Sequence, residues 1–230
     1  MDSDIKSQLK RAKELKEELD CSSQGDLKNH TISDKTRNII QEILVKVRSI
    51  LDQVFYSFFE KEIAPNLTEK EKEKARVYFP IVSKEDDLNS VLGRAMIRNL
   101  NTTHPKVFSF IKSIQPYNND YKWLSELSKY ANERHIRLSP QKRIEVKRTT
   151  VSSRGGSVSW GPGVTFGGGV SIMGAPVDPI TQNIIPTQGV ESKTEIWVSF
   201  VFENSNVNAL WLCNKSIEGS EKIINDFYSL

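Results

Sequence analysis

The residues best suited to acid–base work on a phosphate ester sit in one short run, Arg98-Asn99-Leu100-Asn101-Thr102-Thr103-His104. A histidine titrates near neutral pH and can take or give a proton. An arginine a few positions away can hold the charge that develops on a phosphate. Arg98, Asn99 and His104 are therefore the candidate catalytic residues, with His104 as general base or acid and Arg98 as the cation that meets phosphate charge. Arg94 and Lys106 add positive charge on either side. The plainer reading is a solvated histidine preceding Pro105 in a helix cap. A second group, Arg134, His135, Arg137, Lys142 and Arg143, runs on to Lys147 and Arg148 and forms a candidate anion or nucleic-acid patch. Tyr117, Tyr121 and Tyr130 are candidate stacking partners for it. Cations at a helix C-terminus also simply meet the helix dipole. The histidines and the two cysteines, Cys21 and Cys213, show no metal-ligand spacing, so no metal site is expected and both thiols read as reduced. No phosphate-cradling Gly-x4-Gly-Lys run and no Gly-x-Ser-x-Gly elbow occurs, so no cofactor is inferred.

A different kind of candidate lies at residues 155–172, which read Gly-Gly-Ser-Val-Ser-Trp, Gly-Pro-Gly-Val-Thr-Phe, Gly-Gly-Gly-Val-Ser-Ile. One hexad occurs three times: three small or turn residues, Val, then Ser or Thr, then a large apolar residue. Six is an even number and a strand alternates faces with period two. In an extended chain Val158, Trp160, Val164, Phe166, Val170 and Ile172 share one face, and Ser157, Ser159, Thr165 and Ser171 the other. These six apolar residues are the candidate binding residues. No charge occurs from Gly155 to Val177. Such an element suits a closed sheet, a flap whose apolar side meets a partner, or a membrane-inserting hairpin.

These candidates need a scaffold. Ile5, Leu9, Ala12, Leu15 and Leu19 predict an amphipathic helix over 1–20, with a break at 21–25, so residues 1–25 read as a separate N-terminal element. Ser33 or Asp34 caps a helix to about Glu62. Ile39, Ile40, Ile43, Leu44, Val47, Ile50, Leu51, Val54, Phe55, Phe58 and Phe59 make it apolar over a wide sector, which predicts the centre of a bundle. Thr68 and Glu71 form a capping box for a helix to about Tyr78. Ser83 with Asp86 caps the next helix, and Thr103 the one after, which stops at Gln115-Pro116-Tyr117. A further helix from Asp120 carries Trp123, Leu124, Leu127 and Tyr130 inward and ends near His135. From Arg143 the period falls to two. Pro176, Pro179 and Pro186 read as a loop or sheet edge. Glu195 to Phe202 is the strongest strand, Val207 to Leu212 its expected hairpin partner, and Ser216 with Glu218 the start of a final helix.

The expectation is an α+β protein: a helical bundle of about five helices over 30–138, packed on a small antiparallel sheet with a final helix over 142–230. A net charge of +3 in 230 residues is too weak to imply nucleic-acid binding without a concentrated patch. The start, Met-Asp-Ser-Asp-Ile-Lys, has no apolar run of the signal-peptide kind, and no window is long and apolar enough to span a bilayer as a helix. A cytoplasmic protein is expected.

The middle of the chain resembles a group of uncharacterised bacterial proteins with no assigned activity. The resemblance rests on Phe79-Pro80-Ile81, on Gln115-Pro116-Tyr117, and on Leu124 and Leu127 leading to Asn132-Glu133-Arg134-His135. It covers roughly residues 40–138 and implies a shared fold alone. Arg134 stands where that pattern usually has Lys. Separately, the Arg98 to His104 run resembles the active motif of HEPN ribonucleases, helical bundles that usually dimerise to pair two such motifs. That resemblance implies RNA cleavage by Arg98 and His104. The leading expectation is non-enzymatic: a binding or assembly module that meets a protein partner or itself through the Gly-rich element.

Overall fold

The computed structural model describes residues 2–29, 31–133, 137–153, 155–161, 164–203 and 205–230, with the side chains of 28–29, 139–148 and 193–199 left aside. Eight α-helices and five strands occur among the described residues: α1 Ser3–Asn29, α2 Asp34–Phe58, α3 Glu69–Lys74, α4 Asp87–Arg94, α5 Leu100–Thr103, α6 Pro105–Ser113, α7 Lys122–Asn132, β1 Leu138–Ser153, β2 Gly156–Trp160, β3 Ser171–Ile172, β4 Ala175–Pro176, β5 Glu191–Phe202 and α8 Ala209–Phe227. The architecture is α+β. The chain forms two compact units, one of residues 1–140 with 200–230 and one of residues 141–199.

In the helical unit α2 packs against α1, α7 and α8. The wide apolar sector demands this, because a helix buried on one stripe needs one neighbour and α2 presents apolar side chains to several. Ile40, Ile43, Leu44, Val47, Ile50, Leu51 and Phe55 are fully buried. A Leu or Ile here cut to Ala would cost about 2–5 kcal/mol. The five-residue stripe of α1 is buried in the same core.

The expected break at 21–25 does not occur, and α1 runs on to Asn29. Ser23 is buried and its hydroxyl donates to the Asp20 carbonyl, so this polar side chain is satisfied inside the helix. At the corner that follows, the Asp26 carboxylate accepts from the Ser33 N–H (2.9 Å) and hydroxyl (2.7 Å), while Ser33 caps α2 by accepting from the Thr36 N–H. After Phe58 the backbone makes a π turn over Phe59–Ile63 and then a 3-10 turn over Ala64–Asn66, so Pro65 lies inside the last turn and the chain becomes extended at Leu67.

The capping box of Thr68 and Glu71 is present, but α3 ends at Lys74, not near Tyr78. The next residues are claimed elsewhere. Arg76 N–H donates to the Arg94 carbonyl, and Phe79 is gripped from α2. Its N–H donates to Asp52 (2.8 Å), and Arg48, paired with Asp52 at 3.0 Å, donates to its carbonyl. The cap of α4 is Asp86 without a side-chain hydrogen bond, and that of α6 is His104, because Leu100–Thr103 forms a short turn of its own. Gln115 is fully buried. Its Oε1 accepts from the Val82 N–H, and its Nε2 donates to the Pro80 and Ile111 carbonyls. The Phe-Pro-Ile and Gln-Pro-Tyr steps are thus two halves of one hydrogen-bonded joint.

The anticipated hairpin at Val207–Leu212 is replaced by helix. Asn208 makes a single bridge to Val201 and then caps α8, accepting from the Trp211 N–H at 2.9 Å. Leu212, Cys213, Ser216, Ile217, Ser220, Ile223, Ile224 and Phe227 form one buried stripe at helical spacing, so the helix begins seven residues before Ser216. The strands order β2-β1-β5, with β3-β4 as a separate pair. Phe200, Val201 and Phe202 at the end of β5 are all buried, and Tyr130 of α7 stacks on Phe202 with ring centroids 3.6 Å apart.

Candidate interaction site in the glycine-rich β element

The three hexads do not form three strands. Only the first is β2, antiparallel to β1 with Val151 opposite Val158 and Thr149 opposite Trp160. The second hexad is irregular where it is described, and the third turns at Gly168 and Gly169 before β3. Opposed residues of an antiparallel pair share a face. Val151 is fully buried, yet Val158 beside it is 44% exposed. The difference follows from position: β1 lies between two strands and β2 at an edge.

Without a continuous strand, burial follows the alternation only in part. Ser157, Ser159, Thr165 and Ser171 are all exposed. Trp160, Phe166, Val170 and Ile172 are half-buried, and Val158 and Val164 are exposed. Trp160 and Phe166, from successive hexads, meet edge to face with centroids 5.1 Å apart. None of the six apolar hexad residues is buried.

Several features hold the element that the hexad pattern does not announce. Met173 and Gly174 both have positive φ (54° and 85°) and join β3 to β4 as a two-residue turn, with Ile172 opposite Ala175. Gln182, also at positive φ, clamps Phe166: its Oε1 accepts from the Phe166 N–H at 2.7 Å and its Nε2 donates to the Phe166 carbonyl at 3.2 Å. Asp178 accepts from the N–H groups of Ile180 and Thr181, which together hold its carboxyl below the ordinary carboxylate value. That turn leaves Ile180 almost wholly exposed, and Ile185 is exposed nearby in sequence. The Asp-Pro start of the turn was the available signal, since Asp readily hydrogen-bonds the backbone two residues on.

Arg98 and Asn99 line a cleft of about 410 Å³ with Gly93 and Asn101, and Asn99 is left-handed at φ 58°. His104 is not among the residues lining that cleft. Its ring packs edge-on to Phe58, with Nε2 3.7 Å from a Glu62 oxygen and Nδ1 3.0 Å from the Thr103 hydroxyl. Arg98 lies near Glu71, whose carboxyl is held low chiefly by the Thr68 N–H and hydroxyl. Of the basic group, Arg134 and His135 and the side chains of Lys142, Arg143, Lys147 and Arg148 lie outside the described residues. Arg137 is exposed, and its carbonyl accepts from the Glu203 N–H. Tyr130 is buried against Phe202, Tyr117 is half-buried with its hydroxyl on the Lys112 carbonyl, and Tyr121 is half-buried.

Among the described residues no group of acidic, His or Cys side chains is arranged to hold a metal ion, and no helix is long and apolar enough to cross a membrane. Cys21 is exposed and Cys213 buried, both as free thiols, and burial pushes the Cys213 thiol up. No protein family, curated protein or solved structure matches the chain.

Proposed function

We propose that the protein is a non-enzymatic binding or assembly module whose glycine-rich β element receives a protein partner, in the simplest case a second copy of itself. The observation that carries this reading is that none of Val158, Trp160, Val164, Phe166, Val170 and Ile172 is buried, with Val158 44% and Val164 46% exposed. Unit 141–199 is small, and among its described side chains only Thr149, Val151, Ala175 and Val177 are buried. Units of this size bury a modest share of their surface and gain from a partner. β2 adds an edge without the usual protections: its sequence, Gly-Ser-Val-Ser-Trp, contains no charge and no proline. An incoming strand would pair with the β2 backbone while Val158 and Val164 supply apolar contact.

The test is the mass of the purified protein in solution by light scattering. It compares the wild type with Val158→Lys/Val164→Lys and with a variant whose residues 155–174 are replaced by a short Gly-Ser linker. A wild-type oligomer that becomes a folded monomer in both variants supports assembly through this element. Equal mass in all three, with helix content retained, overturns it.

A further inference from the structure

A second concave site lies wholly within the helical unit and owes nothing to the β element. The start of α7 and one face of α8 enclose a cleft of about 450 Å³, within the range of small-molecule sites. Its α8 wall is a single stripe. Trp211, Lys215, Gly219 and Lys222 follow at i, i+4, i+8 and i+11, which a helix brings onto one face. From α7 come Lys122, the first residue of that helix, and Tyr121 just before it. Gly219 allows this approach: a Cβ there would lie 2.4 Å from Cζ2 of Trp123.

The chemistry of the lining is specific. Lys122, Lys215 and Lys222 give three positive charges against one carboxylate, Asp120. None of these lysines is ion-paired with a carboxylate among the described residues. The N-terminus of α7 has no side-chain cap and faces an anion favourably. Trp211 is 51% exposed, although its backbone N–H is held by the Asn208 cap. An accessible indole beside unpaired ammonium groups is what a flat base bearing phosphate requires: the ring stacks and the lysines neutralise.

We infer that this cleft binds a nucleotide unit, with the base stacked on Trp211 and phosphate held by Lys122, Lys215 and Lys222. The unit is either free or part of a single strand. Lys215 and Lys222 lie two turns apart, about 11 Å along the axis, so they reach successive phosphates.

The experiment titrates the full chain with a labelled oligothymidylate about fifteen nucleotides long, and separately with ATP. Trp211→Ala is expected to weaken binding by about tenfold or more, with Trp211→Phe restoring most of it. Lys215→Gln/Lys222→Gln is expected to flatten the salt dependence of oligonucleotide binding by about one unit in log–log slope. Lys70→Gln, on α3, should change neither. Tight ATP binding that displaces the oligonucleotide assigns a free nucleotide. Oligonucleotide binding that ATP does not displace assigns a strand. The inference is overturned if neither probe binds, or if Trp211→Ala binds like the wild type. It is equally overturned if Lys70→Gln costs as much as Lys215→Gln, or if polyglutamate displaces either probe as well as its unlabelled form does.

Discussion

At the scale of single residues, the corner between α1 and α2 has a pH dependence that can be worked out. Partial burial pushes the Asp26 carboxyl up, but hydrogen bonds from the Thr36 hydroxyl and from the Ser33 N–H and hydroxyl outweigh it, so the group sits below its ordinary 3.8. A carboxyl depressed by folding stabilises fully above its unfolded value, and that stability is lost as pH falls through the folded value. Asp26→Ala should therefore cost about 1 kcal/mol near neutral pH, a figure kept small by solvent screening. Urea titrations should show the gap between wild type and variant closing below pH 3.8; a constant gap down to pH 2 would contradict the assignment. Ser33 as a cap was readable in the sequence, because Ser before an apolar-periodic run is a helix start. Asp26 was not, since its partner lies seven residues away across a turn. Gln115 likewise gives no local sign that it is buried and fully hydrogen-bonded.

At the scale of elements, the closest approach of two helices is set by one glycine. Ala is the better helix former by about 1 kcal/mol, so Gly219→Ala in an isolated α8 would stabilise. In the protein the new Cβ meets the Trp123 ring at 2.4 Å, and the ring belongs to a buried side chain. The net effect should be a loss of about 1–3 kcal/mol, read as a lower Tm with a changed near-UV tryptophan signal. A rise in Tm would show that α7 and α8 are not in contact there. Elements with long periodic stripes were legible: α1, α2 and α7 carry the apolar residues that spacing assigned to them. α8 was misread at its start because Val207-Asn208-Ala209-Leu210-Trp211-Leu212 is too short to separate strand from helix by period, and the buried Ser216 and Ser220 dilute the stripe. The hexads show the same limit. Their alternation was legible as a pattern, but burial follows it only in part, with Val158 and Val164 as open as the serines. The turns were not legible, because nothing marks Met173 for positive φ except the glycine after it.

At the scale of the molecule, the chain leaves the helical unit near residue 140 and returns near 200. The helical unit has its own continuous core, to which every helix from α1 to α8 except α3 and both the start of β1 and the end of β5 contribute. Replacing residues 155–174 by a short linker should leave its urea midpoint and far-UV helix signal unchanged within error. A large loss of both would mean that the core needs the hexads. The α+β class could be read from the change of period near residue 140, but the division into a main body and an inserted unit could not. Division depends on where the chain comes back, and only the folded chain shows that Glu203 donates to the Arg137 carbonyl at 2.9 Å. That one hydrogen bond joins the stretches that flank residues 141–199. The chain therefore leaves and re-enters the helical unit at neighbouring positions. Such a plan lets the intervening sequence drift in length and composition, repeats included, while the scaffold keeps its fold. It also offers a ready splice point at which another β element could be installed.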